Sequence, residues 1–116
     1  MSKRIAHLLV EDMLDAIRKI DLFVGDMNKQ AFLLDEKTRD AVIRNIEVIG
    51  EAANQLPNDF YTTYPEIPWR NIIGLRNRVI HEYFAINDTI LWNTITQSLP
   101  VFKIALQALL AKINTG

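Results

Sequence analysis

Arg76, Asn77, His81 and Tyr83 stand close together in one short stretch, LRNRVIHEYF (75–84), whose remaining residues are largely apolar. An arginine cannot shed its charge, so inside an apolar segment it must meet a carboxylate, a ligand phosphate or a wet interface with another chain. An imidazole titrates near neutrality and can move protons. With a guanidinium and an amide beside it, it completes the inventory needed for acid/base work on a phosphodiester. His81 read alone is equally a structural histidine. Asn77 can orient that ring or bind a phosphate oxygen. Tyr83 read alone is an aromatic whose hydroxyl needs one partner.

A helix advancing 100° per residue sorts these groups. With Arg76 at zero, Ile72, Ile73, Val79, Ile80, Tyr83 and Phe84 lie within roughly 80°, so Arg76 sits mid-stripe. Asn77 and His81, one turn apart, share a margin, while Arg78 and Glu82 point outward. The carboxylate best placed to pair with Arg76 is Asp12, which fills a slot between Leu9 and Ala16 in an apolar stripe. Glu51 lies on the polar side of its own helix. His7 is solvated, and Trp69, Trp92, Tyr61 and Tyr64 read as packing. No H-E-x-x-H spacing, glycine-rich phosphate loop or serine-centred triad is present, so no metal or cofactor is expected.

The elements that must position these residues are helical. The first helix runs from about Lys3 to Asp26, with Ile5, Leu9, Ala16, Ile20 and Phe23 as its stripe and Gly25 and Asn28 near its end. Asp35 caps the second, which carries Val42, Ile46, Ile49, Ala53 and Leu56 inward, shows Asp40, Arg44, Glu47 and Glu51 outward, and stops at Pro57. The segment PNDFYTTYPEIP is a packed connector with room for one short helical turn. Pro68 opens the third helix, in which Gly74 is a weak point. Asn87 or Asp88 caps the fourth, whose row is Leu91, Ile95, Leu99, Phe102, Leu106, Leu109 and Ile113, with Pro100 kinking or dividing it. The expectation is an all-α, up-and-down four-helix bundle forming one domain over residues 1–116.

Composition bounds the function. The 116 residues, 49% hydrophobic, suffice for one core. A net charge of −1 advertises no nucleic-acid partner globally, so any such partner must be met by a local patch. The absence of cysteine removes disulfides, thiolate catalysis and cysteine-ligated zinc, and points to the cytoplasm. No apolar run approaches the ~20 residues needed to span a bilayer, and acidic residues come too early for a signal peptide.

The run RNRVIHEY (76–83) resembles the R-x4-H-x-Y motif of the HEPN superfamily, specifically of HepT-type toxins paired with minimal nucleotidyltransferases of the MntA type. RNIEVIGEAANQL before it, IPWRNIIGLRN leading into it and ILWNTITQSLPVFK after it are similar to the same proteins in the same order. The resemblance implies a HEPN-like bundle and a metal-independent endoribonuclease toxin acting on RNA, tRNA being one candidate. It makes His81 the acid/base residue and Arg76 the stabiliser of phosphoryl charge, with Asn77 assisting. It also implies a homodimer whose interface carries the site, and Tyr83 as the residue to which the nucleotidyltransferase antitoxin attaches AMP. Arg70, Arg78 and Arg44 are candidate contacts for the RNA backbone. The competing reading is a non-catalytic subunit that binds nucleotide or substrate for such a nucleotidyltransferase.

Overall fold

The computed structural model describes residues 2–81 and 88–115, with side chains at 4–75, 77 and 88–113. Every regular element among them is helical: α1 (Ser2–Val24), α2 (Lys29–Leu34), α3 (Glu36–Asn54), α4 (Asn58–Thr63), α5 (Trp69–His81), α6 (Asp88–Asn93) and α7 (Leu99–Thr115). A π-helical turn, Thr94–Ser98, joins α6 to α7. The all-α reading is borne out, with α1, α3, α5 and the α6–α7 run as the long members. α1 packs against both α3 and α7, and α5 packs on α3.

Local chemistry explains the boundaries. The Asp35 carboxylate accepts from the Thr38 N–H at 3.0 Å and starts α3. Val42, Ile46, Ile49, Ala53 and Leu56 are buried, as their spacing predicts. Asn28 does not simply end α1. Its side chain accepts from the Ala31 N–H at 2.8 Å and opens α2, an element the sequence reading lacks. Asparagine serves both as a helix stop and as an N-cap, so type alone cannot separate the two roles. The short α2 delivers Phe32, fully buried, against Trp92 with ring centroids 5.5 Å apart.

α1 requires a correction. Its buried row is Ala6, Val10, Met13, Ile17, Ile20 and Val24, so that of the expected stripe Ile20 and, at the edge, Ala16 are buried as spaced. Ile5 and Phe23 are 44% and 39% exposed, and Asp12 is exposed rather than set into an apolar stripe. The helix carries apolar residues on two adjacent rows. The row of larger side chains was the more conspicuous in sequence, but the row with small Ala6 permits the closer approach to neighbours.

The fourth segment keeps its predicted row, Leu91 to Ile113, buried throughout. Pro100 neither divides it nor removes it from register. Pro100 has no N–H to offer the Thr96 carbonyl and its ring would crowd that oxygen, and the helix widens by one residue just before it. The Leu99 N–H accordingly donates to the Thr94 carbonyl, five residues back. The run 88–113 also holds an 18-residue window with a mean hydropathy of 1.2, long and apolar enough to cross a bilayer by length and composition, contrary to the sequence reading. Scattered neutral polar residues hide this from a search for an unbroken apolar run. Here its apolar row packs inside the bundle, and Lys103 pairs with Asp21 of α1 at 3.6 Å.

Candidate active site

The motif helix is set by a clamp at its N-terminal end. α4, the short turn expected in the connector, lays Tyr61 across the end of α3, where its hydroxyl donates to the Ala53 carbonyl at 2.8 Å, with the Leu56 carbonyl at 3.3 Å. Burial pushes the Tyr61 phenol up from its ordinary value. Trp69, the first residue of α5, meets Tyr61 edge to face at 5.7 Å and donates its indole N–H to the Tyr64 carbonyl at 3.0 Å. Pro68 supplies the first carbonyl of the helix, accepting from the Ile72 N–H at 3.0 Å. The aromatics expected to pack do so.

Downstream of the clamp, α5 buries Trp69, Ile72 and Leu75. Ile73, expected in the stripe, is only half-buried, and Leu75 takes its place. On a 100° wheel the buried arc therefore centres roughly 40° to the side of position 76 that lies away from Asn77. That rotation carries Asn77 from the margin to an exposed position. Position 76 follows Ile72 by one turn and position 81 follows Asn77 by one turn, all on one uninterrupted helix.

Beside α5 opens a cleft of about 510 Å³. Asn54 at the end of α3, Asn58 and Tyr61 of α4, and Trp69, Arg70, Ile73, Gly74 and Asn77 of α5 line it. The cleft thus joins two of the sequence candidates, Arg70 and Asn77, both exposed. No carboxylate is among these lining residues, so the surface they form does not repel an anion.

The remaining candidates are distributed otherwise. Arg44 is exposed on α3, 4.0 Å from Glu47, and does not line the cleft. Asp12 stands in a shallow groove between α1 and α3 with Asp15, Lys19 and Asn45. Its pairing with Arg76 lies outside the described residues, but the premise that it occupies an apolar slot is corrected by its exposure. Glu51, assigned to a polar side, is half-buried, because α3 is flanked by both α1 and α5. Arg76, Arg78 and His81 belong to α5, with side chains outside the described residues, and Tyr83 lies outside them altogether, as does Asn87 as a cap. His7 is partly exposed and contacts Glu11 at 3.0 Å.

Past the motif the chain is held again: Arg39 of α3 meets Asp88, the first residue of α6, at 2.6 Å, and Lys29 donates to Thr89 at 3.2 Å. Asn54, Asn58, Tyr61 and Gly74 had no part in the sequence reading of the site. They come from three elements that only the fold brings together, and no spacing along the chain signals that.

Comparison with known proteins agrees with the motif. The family model described as ribonuclease HepT-like matches residues 13–109. A candidate RNase of Methanocaldococcus jannaschii is 42% identical over 100 residues, covering 86% of this chain and 83% of its own. A protein of Thermococcus cleftensis named as a probable ribonuclease HepT is 43% identical over 94 residues, covering 81% and 86%. The comparison with solved structures finds no match. With positions 76 to 81 of the motif on one continuous helix and the match running through nearly all of the bundle, the chain belongs to the ribonuclease HepT-like family.

Proposed function

We propose that this ribonuclease cuts RNA internally and without a metal, through Arg76, Asn77 and His81. The observation that carries the reading is the family match across residues 13–109, which contains the whole RNRVIHEY run. In the reaction the ribose 2′-oxygen attacks the adjacent phosphorus while the bond from phosphorus to the 5′-oxygen breaks, leaving a 2′,3′-cyclic phosphate and a 5′-hydroxyl. The 2′-hydroxyl gives up one proton and the departing 5′-oxygen takes one. His81 performs acid/base transfer, and the Arg76 guanidinium, charged at any working pH, neutralises charge accumulating on the phosphoryl oxygens. Asn77, exposed at the mouth of the cleft, holds a phosphate oxygen or the imidazole.

One histidine supplies one proton-transfer group, whereas the reaction uses two transfers. A two-fold dimer through α5 supplies the second from the other copy and doubles the local positive charge. Control follows from proximity in the sequence. Tyr83 is two residues beyond His81, so AMP attached there by a cognate nucleotidyltransferase sets a negative phosphate and a purine beside the catalytic imidazole. Incoming RNA phosphate is then repelled and excluded, which is the logic of a toxin silenced by its antitoxin in the cytoplasm.

The test is cleavage of RNA in the presence of a chelator by wild type and His81→Ala. Acid/base catalysis contributes roughly a hundredfold to ten-thousandfold, so the variant should lose activity on that scale with its thermal midpoint retained. Undiminished cleavage by His81→Ala refutes the assignment. Chelator-sensitive cleavage refutes metal independence.

A further inference from the structure

We propose that the cleft between α3, α4 and α5 is a nucleobase subsite, receiving a base one or two nucleotides from the scissile phosphate. The inference rests on the ribonuclease reading and names a part of the substrate that the catalytic residues do not touch. Size is the first consideration, since about 510 Å³ falls within the ~300–1,000 Å³ typical of small-ligand pockets. Position is the second. At a rise of ~1.5 Å per residue, Asn77 is roughly 6 Å along α5 from position 81 and Arg70 is roughly 16 Å. An extended strand whose phosphate lies at position 81 therefore passes the cleft within its next nucleotide or two.

Chemistry is the third. The polar atoms of the aromatic wall are already committed: the Tyr61 hydroxyl to the Ala53 carbonyl and the Trp69 indole N–H to the Tyr64 carbonyl. What these rings offer a ligand is apolar surface, extended by Ile73. By contrast, the side-chain amides of Asn54, Asn58 and Asn77 and the Arg70 guanidinium make no hydrogen bond to another described residue. An amide is both donor and acceptor and so matches the edge of a base, which presents the same pair. Arg70 complements a flanking phosphate or stacks on the ring. Gly74 keeps the floor open, because a Cβ built there meets nothing within 4 Å. Among the described residues, an apolar wall, free amides, the Arg70 cation and no lining carboxylate suit a base on an RNA strand.

The experiment compares kcat/KM for a dinucleoside monophosphate with that for RNA hexanucleotides, including a series in which each base in turn is made abasic. The expected ratio of hexamer to dinucleotide is at least about tenfold, the scale of one well-held base. It should collapse when the base one or two positions from the cut is removed. Gly74→Phe, which fills the cleft, and the pair Asn54→Ala with Asn58→Ala should each bring the ratio close to unity, whereas Gly74→Ala should preserve it. A flat abasic series, or an unchanged ratio in both Gly74→Phe and the asparagine pair, overturns the subsite. If no RNA is cut, the ribonuclease reading has failed separately, and binding of a fluorescein-labelled 2′-O-methyl hexanucleotide decides the cleft. Weakening by about tenfold in Gly74→Phe supports it, and absent or unweakened binding overturns it.

Discussion

Replacing Gly74 by alanine should stabilise the protein, an unusual outcome for a change beside an active site. Gly74 lies in the middle of α5 and does not adopt a positive φ, so nothing in its backbone demands glycine. A Cβ there meets no atom within 4 Å, so no strain offsets the gain. Glycine inside a helix costs ~0.8–1.0 kcal/mol relative to alanine, chiefly through the freedom it retains when unfolded. With an unfolding entropy of about 2.1 cal/mol/K per residue over a chain of this length, that gain raises the thermal midpoint by roughly 3–4 °C. Calorimetry or urea unfolding at pH 7 reads it directly. A lowered midpoint would mean that the added methyl clashes, and that α5 and the cleft are packed differently from the arrangement described.

Gly25 should behave oppositely. Its φ of +50° closes the end of α1, with its N–H donating to the Asp21 carbonyl at 2.9 Å, so Gly25→Ala should cost about 1–2 kcal/mol, seen as a lower urea midpoint. Ile72, fully buried on the inner side of α5, should cost ~2–5 kcal/mol on truncation to alanine, and the variant should lose RNA cleavage in parallel with its folded fraction when both are followed across a temperature series. Tyr61→Phe removes a hydroxyl that bridges α4 to the end of α3 and should lower stability by about 1 kcal/mol at neutral pH. Because burial raises the phenol's pKa in the folded state, its contribution is fully present below the ordinary tyrosine range and fades as pH climbs through the raised value. The phenylalanine variant should therefore show a shallower alkaline fall in stability, and an identical slope would refute the assignment.

Legibility in the sequence depended on whether a helix carries one apolar row or two that compete. The α6–α7 run and the α3 segment show clean rows, Leu91 to Ile113 and Val42 to Leu56, and both rows are buried as spaced. Asp35 was readable as a cap because only one helix could start there. In α1 two apolar rows compete, and close packing around small Ala6 selects the row that the larger side chains do not mark. α5 was misread by a fraction of a turn, since one stripe had to accommodate Trp69, Ile72, Ile73 and Leu75, and the aromatic clamp fixes the rotation. The motif residues could be found because they are contiguous. The cleft could not, because Asn54 and Asn58 lie well before Gly74 in the chain and none of the three carries a mark of chemistry by type.

The mild acidity of the chain is reconciled with an RNA substrate by where the charges sit. Screening limits exposed charges to about 8 Å at physiological ionic strength, so a strand in the cleft responds to its own walls rather than to the total. Among the described residues those walls hold Arg70 and no carboxylate. The acidic residues Glu11, Asp12 and Asp15 belong to α1, which contributes nothing to the cleft, and Asp15 is answered locally by Arg18 at 2.9 Å and Lys19 at 3.4 Å. The Arg18 hydrogen bond holds the Asp15 carboxyl below its ordinary value, so that charge persists at any pH where RNA would be cut and is nonetheless compensated on its own helix. A net charge of −1 is therefore no obstacle to an anionic strand at a cleft whose described walls carry Arg70 and no carboxylate.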